Sequence, residues 1–156
     1  MKNKWIKSIA TGFGLGLSPV MPGTAGTLWG IPISWAVMLL PSCGYQIGVC
    51  AALTLLAIPV CGAAEKLLGK GKDPGCIVAD EYLTLPICYL GLPFVPWVIF
   101  SGFILHRIFD ITKPPPIRQL QSLKGGLGIV IDDFLAALFA LAVNHLLFRV
   151  IVPMIG

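Results

Sequence analysis

The chain has 156 residues, of which 56% are hydrophobic and only 12% charged, and its mean hydropathy is +0.89. One domain fits that length, and the composition excludes an ordinary soluble domain in favour of a membrane protein. The formal net charge of +4 falls in separate groups and not on one basic face interleaved with stacking aromatics, which excludes nucleic acid as a partner.

Lys2, Lys4 and Lys7 lead the chain, but the stretch after them is too rich in glycine for the apolar core of a signal peptide, so no cleavage is expected. Residues 12 to 27 are dense in glycine, proline and hydroxyls. The glycine spacing is not that of a dinucleotide fingerprint, and the Gly-Lys-Ser/Thr ending of a Walker loop is absent. Thr24, Thr27 and backbone N–H groups at a helix start can hold an oxyanion. The same small residues equally suit a tight re-entrant turn.

Five apolar segments follow. The first, Leu28 to Leu40, is short for a span, since a perpendicular helix needs about 20 residues. The second, Tyr45 to Ala64, is the cleanest transmembrane candidate, with Pro59 as a place for a kink. The third, Ile77 to Leu92, contains Asp80, Glu81 and Pro86, and Leu-Pro-Phe-Val-Pro at 92 to 96 then breaks the chain. The fourth, Trp97 to Phe109, delivers Asp110 at its end, and the fifth, Ile129 to Ile151, carries Asp132 and Asp133 in its first turns. The pattern predicts an all-α, integral membrane bundle of about four to five hydrophobic helices behind a short glycine/proline-rich loop, in one domain over residues 1–156. A partly embedded bundle with a re-entrant or interfacial helix is the variant left open by the short segments.

Alternating these segments places the N-terminus and the 65 to 76 and 110 to 128 loops on one side. All seven acids and every basic residue except Arg149 fall there, so that side is expected to be cytoplasmic. Trp5, Trp29 and Trp97 suit interface anchors. The five cysteines are dispersed without a Cys-x-x-Cys and read as reduced thiols acting as small hydrophobes.

An unpaired carboxylate beside apolar sequence is expensive and marks a functional site. Asp73, just before Pro74, reads instead as a helix cap. Asp80 and Glu81 lie beyond the first turn from that cap, where the helix dipole has faded, and read as ligands. Asp132 and Asp133 point about a third of a turn apart, so at least one ligates while the other caps or orients. Asp110 precedes Lys113, three consecutive prolines and Arg118. Prolines forbid helix and stiffen the loop, which suits a clamp in which Lys113 and Arg118 grip phosphate oxygens. The plainer alternative is a basic loop attracted to anionic lipid. Gly125, Gly126 and Gly128 allow sharp entry into the last helix. His106 shares a helical face with Asp110, yet it and His145 both read as structural. Converging acids with Lys113 and Arg118 beside them suggest a divalent cation and a phosphate.

Three blocks, Gly16 to Leu28, Ile77 to Tyr82, and Arg107 to Arg118 followed by Gly125 to Asp133, resemble the phosphatidylglycerophosphatase A family of bacterial membrane lipid phosphatases. The resemblance implies Mg²⁺-dependent removal of the terminal phosphate of phosphatidylglycerophosphate, in phospholipid biosynthesis, and a helical fold similar to that of the family's soluble relatives. It also implies a bacterial inner-membrane enzyme whose site faces the cytoplasm. It strengthens the substrate-binding roles of Thr24 and Thr27 beside Lys113 and Arg118. Mg²⁺ held by Asp80, Glu81, Asp110 and one or both of Asp132 and Asp133 is the expected arrangement, with a water activated for in-line attack and Arg118 neutralising developing charge. An aspartate nucleophile is the competing route. Thr84 departs from the family pattern, which has glycine there, and is expected to alter packing near the acids. A small ion transporter or channel with carboxylate cation sites is the alternative of another class, but its acids belong near the bilayer midplane.

Overall fold

The computed structural model describes residues 2–69, 71, 74–151 and 153. Asp73, expected to cap a helix, lies outside them, as do Lys70 and Lys72. Among the described residues there are eight α-helices and no strand: α1 Lys2–Ala10, α2 Pro22–Thr27, α3 Gly30–Met38, α4 Cys43–Leu68, α5 Ala79–Thr84, α6 Pro96–Thr112, α7 Ile117–Leu120 and α8 Gly126–Leu146. The all-α reading holds. Two helices, Cys43–Leu68 and Gly126–Val150 (α8 with the π-helical turn that continues it), are long and apolar enough to cross a bilayer, with mean hydropathies of 2.2 and 2.1.

Local chemistry sets the ends of these helices. The Ser42 hydroxyl accepts from the Tyr45 N–H to start α4, and Gly69, in the left-handed region, ends it. The helix runs on through Pro59. Pro96 occupies the first position of α6, where its missing N–H is harmless.

α8 is the axis of the molecule, packed by α4 on one side and α6 on another. Ser101 meets Asn144 and Lys113 meets Asp132, so α6 and α8 run antiparallel. On α4, Ala57, Cys61 and Ala64 form a fully buried small-residue stripe in the core shared with α5, and a neighbouring face of α4 meets the α8 backbone. The approach is closest at Gly126, where a Cβ would lie 1.9 Å from the Ile58 carbonyl oxygen. The five cysteines are all free, as expected, with Cys50, Cys61 and Cys88 buried.

The third apolar segment is core. Residues 77 to 89 are all buried, and the segment is split into the six-residue α5 and a 3-10 turn, Leu85–Tyr89. Pro86, lacking an N–H, fits the turn that follows the break. Thr84, the expected source of altered packing, donates its hydroxyl to the Asp80 carbonyl at 2.7 Å and is fully buried. The glycine-rich stretch answers to this core: a Cβ on Gly16 would meet the Cys76 carbonyl oxygen at 2.4 Å, and one on Gly26 would meet Val78 at 2.4 Å. Close packing therefore explains these two glycines. The Val78 N–H donates to the Ala10 carbonyl, and Tyr82 to the Ile9 carbonyl, which ties α1 to the same end as α5.

A candidate active site built on buried carboxylates

Three elements deliver the acids: the first turn of α5, the last turns of α6 and the second turn of α8. α6 stops at Lys113, which adopts a left-handed conformation at φ 44° and donates its N–H to the Phe109 carbonyl at 2.9 Å. Pro114 disfavours a further helical residue before it, so the chain turns here. A non-glycine residue held in that region costs roughly 1–2 kcal/mol. Its side chain uses the turn: the Lys113 ammonium donates to Asp132 Oδ2 and lies 3.9 Å from Asp110 Oδ1. Burial alone would lower the Lys113 pKa, but the hydrogen bond to Asp132 and the charges of Asp132, Asp110 and Asp133 outweigh it, and the net shift is upward. Lys113 is thus a fixed cation at neutral pH.

Asp132 and Asp133 are 2% and 3% exposed, inside a stretch of α8 that is otherwise apolar from Ile129 to Val143. One oxygen of each, Oδ1, has no hydrogen-bond partner among the described residues. A buried carboxylate oxygen without a partner is costly, and the common remedy is a metal ion. Ligand atoms of Asp110, Asp132 and Asp133 all lie within 4.8 Å of one another. Hard oxygen donors at that spacing fit a divalent cation such as Mg²⁺. His106, fully buried, places Nε2 3.8 Å from Asp133 Oδ1, beyond hydrogen-bond reach.

Asp80 and Glu81 close the site from α5, both buried and near enough to Asp133 to repel it. Glu81 does more than face the acids. Its Oε2 accepts from the Thr27 hydroxyl and from Arg107 Nη1, and the same Nη1 lies 2.8 Å from Asp110 Oδ2. Arg107 therefore links Glu81 to Asp110 across two helices, with Thr27 3.4 Å away. Thr27 also donates to the Gly23 carbonyl at 2.8 Å, while Thr24 sits half-buried one turn earlier in α2.

The structure thus gathers Asp80, Glu81, Asp110, Asp132, Asp133, Lys113 and Thr27. Arg118 stands apart: α7 is anchored by buried Ile117, whereas Arg118 is exposed and forms no ion pair among the described residues. The residue that sequence reasoning missed is Arg107. Its signal was present, because Arg107 and Asp110 stand three apart, the spacing of an intrahelical ion pair. His145, expected to be structural, contacts the Leu90 carbonyl at 2.8 Å, far along α8 from the acids.

The family model described as phosphatidylglycerophosphatase A matches residues 8–148. A phosphatidylglycerophosphatase A of Escherichia coli (strain K12) is 36% identical over 151 residues, spanning 93% of this chain and 84% of that protein. One from Haemophilus influenzae is 39% identical over 142 residues, spanning 88% and 85%. A Bacteroides thetaiotaomicron protein provisionally named a phosphatidylinositol-3-phosphatase is 38% identical over 138 residues, spanning 85% and 86%. No solved structure matches the chain significantly. The family match takes in every gathered residue from Thr27 to Asp133, and the chain belongs to the phosphatidylglycerophosphatase A family.

Proposed function

We propose that this chain hydrolyses the terminal phosphate monoester of phosphatidylglycerophosphate, releasing phosphate and leaving phosphatidylglycerol, with Mg²⁺ as cofactor. The observation that carries the reading is the convergence of Asp110, Asp132 and Asp133 beside Lys113, with two carboxylate oxygens left without partners. The substrate comes from the names of the Escherichia coli and Haemophilus influenzae relatives.

Asp110, Asp132 and Asp133 would hold the cation, with Asp80 and Glu81 completing the acidic wall. When bound, Mg²⁺ supplies a Lewis acid for the phosphoryl oxygens and a means of making water nucleophilic at neutral pH. Lys113 and the exposed Arg118 neutralise charge on the equatorial oxygens as the ester bond breaks, and the leaving alkoxide takes up a proton. Arg107 keeps Glu81 and Asp110 oriented, so it acts through them and not on phosphate. Thr27 fixes Glu81 from the side of α2, and Thr24 stands one turn away to meet the headgroup.

With α4 and α8 crossing the bilayer, the chemistry sits at headgroup depth, a reading supported by the position of the acids near the end of α6 and the start of α8 and not at mid-helix. That disfavours an ion pathway at the midplane and suits a lipid whose chains stay in the membrane, at the cytoplasmic face of a bacterial inner membrane. Purified protein in detergent should release phosphate from phosphatidylglycerophosphate with Mg²⁺, and lose that release with EDTA or with Asp110→Ala. Phosphatidylinositol 3-phosphate run beside it separates the two substrates named among the relatives. Folded wild-type protein that releases no phosphate from either lipid would sink the reading. Rapid quench of a single turnover followed by borohydride reduction distinguishes an aspartate nucleophile, whose aspartyl-phosphate is reduced to homoserine, from direct hydrolysis, which leaves the protein unmodified.

A further inference from the structure

The stripe of α6 that ends at Arg107 is apolar along the rest of its length. Residues 99, 100, 103, 104 and 107 recur at helical spacing and share one face. Ile99, Phe100, Phe103 and Ile104 form one wall of a groove of about 320 Å³, and Leu28 and Ile31 form the facing wall. The groove runs down to Pro96, at the start of α6. Among the described residues nothing closes it: Phe100 is 69% exposed and Leu28 51%. Both walls lead toward the acid site: Arg107, one turn beyond Phe103 and Ile104, lies 3.4 Å from the hydroxyl of Thr27, the residue before Leu28. From Arg107 to Pro96 the helix rises about 16 Å, enough to lie beside most of a lipid tail.

We propose that this groove seats an acyl chain of the phospholipid substrate while its phosphate occupies the carboxylate site, an inference that rests on the lipid phosphatase reading. Two other apolar grooves among the described residues lack this continuity. The one between α3 and α4, lined by Trp29, Pro32, Val37 and Leu53, carries no site residue on its walls. The one between α4 and α8 is lined by Leu127, Val130, Ile131 and Phe134, a stripe from which the helical repeat turns Asp132 and Asp133 away. Of these three grooves, the α3–α6 groove is the one that shares its helix face with a residue of the acid cluster. A tail is as well solvated by neighbouring lipid as by this wall, so the gain is not burial. It is orientation: a chain laid along α6 aligns the ester bond with the acids beyond Arg107.

The test uses phosphatidylglycerophosphate with a photoreactive diazirine near the end of one acyl chain. It is mixed with the detergent-purified full chain on ice, with Ca²⁺ in place of Mg²⁺ to hold the lipid without turnover. After irradiation, label should concentrate on α3 and α6, and Ile31→Trp, which fills the groove, should reduce it at least fivefold. Leu55→Trp, in the α4–α8 groove, should leave it unchanged, and Ile99→Trp replaces Ile31→Trp if the latter fails to fold. Label spread evenly over all three grooves, or indifferent to the filling substitution, overturns the proposal. A kinetic arm compares dipalmitoyl with dihexanoyl phosphatidylglycerophosphate under Mg²⁺. Ile31→Trp should lower kcat/KM about tenfold for the long lipid and leave the short one within twofold, and an equal loss on both also overturns it. Wild type that labels on α3 and α6 but releases no phosphate from either lipid would defeat the phosphatase reading alone.

Discussion

The two ends of α8 each bury a polar cluster against α6, and they are built differently. Near the C-terminal end, the Asn144 amide donates to the carbonyls of Cys88 and Val98 at 3.1 and 3.3 Å, and its oxygen accepts from the Ser101 hydroxyl at 2.6 Å. His145 contacts the Leu90 carbonyl, and Arg149 donates to that of Gly91, so the turn between the 3-10 segment and α6 is tied down. Near the N-terminal end, Asp132 and Asp133 are as deeply buried, yet each keeps an oxygen without a partner. Burial of polar groups is common to both ends; completeness is not. The Asn144 cluster needs nothing from outside, whereas the aspartate cluster carries more negative charge than Lys113 and Arg107 balance. An incomplete cluster marks a ligand, and a complete one marks structure.

The sharpest way to break that contrast is Asp133→Asn. Phosphate release should fall on the order of 10³-fold, the scale of losing a preorganised charged group from a reaction centre. The protein should at the same time gain thermal stability in EDTA, because one charge leaves the neighbourhood of Asp80, Asp110 and Asp132. Mg²⁺ should raise the Tm of wild type and leave that of the variant unchanged. A variant that keeps the Mg²⁺ effect would show that the cation binds elsewhere.

Helix content and the acids were legible in the sequence for one reason: both are written in hydropathy. Asp110 and the Asp132–Asp133 pair stood out because each interrupts an apolar run. The third segment was less legible, since hydropathy does not distinguish a buried core turn from a short span, and Leu85–Tyr89 is core. The glycines at 16 and 26 looked equally suited to an oxyanion or to packing, and only the contact with residues 76 to 78 decides for packing. Arg107 lay within the fourth apolar segment, but its pairing with Glu81 was not legible, and Arg118 looked the better phosphate partner until α6 proved to run on to Thr112. That extension buries Arg107 among acids and leaves Arg118 in the open.

Arg107→Met is the next largest expected effect. Removing one member of a buried, paired set leaves charges uncompensated, here those of Glu81 and Asp110, at a cost of about 3 kcal/mol. Activity per folded molecule should fall roughly 10²-fold, as for a lost partner that orients a ligand. Arg107→Lys should recover part of the stability and little of the activity, because an ammonium lacks the planar fork that engages two carboxylates. Equal recovery of both would reduce Arg107 to a counter-charge.

At the complete end the signs reverse. Asn144→Ala takes the donor from the buried Cys88 carbonyl and one of the partners of the Ser101 hydroxyl and the Val98 carbonyl, which should cost about 2 kcal/mol in thermal unfolding. Phosphate release per folded molecule should match wild type. A catalytic defect without a stability defect would contradict the assignment of this cluster to structure.

The smallest effect expected is also the most selective. Gly23 faces the Glu81–Arg107 pair so closely that a Cβ would lie 2.5 Å from Glu81 Oε1 and 2.8 Å from Arg107 Nη2. Both atoms are ends of flexible side chains, so Gly23→Ala can be accommodated by their displacement without moving backbone. Alanine also favours the helical state of α2 over glycine by roughly 1 kcal/mol, which offsets the strain. Stability should therefore stay near that of wild type while kcat/KM drops a few-fold, because what moves is the pair that orients Asp110. Thermal unfolding and steady-state kinetics on the same preparation separate the two. Wild-type kinetics in Gly23→Ala would mean that the Glu81–Arg107 geometry holds the fold and does not tune the reaction.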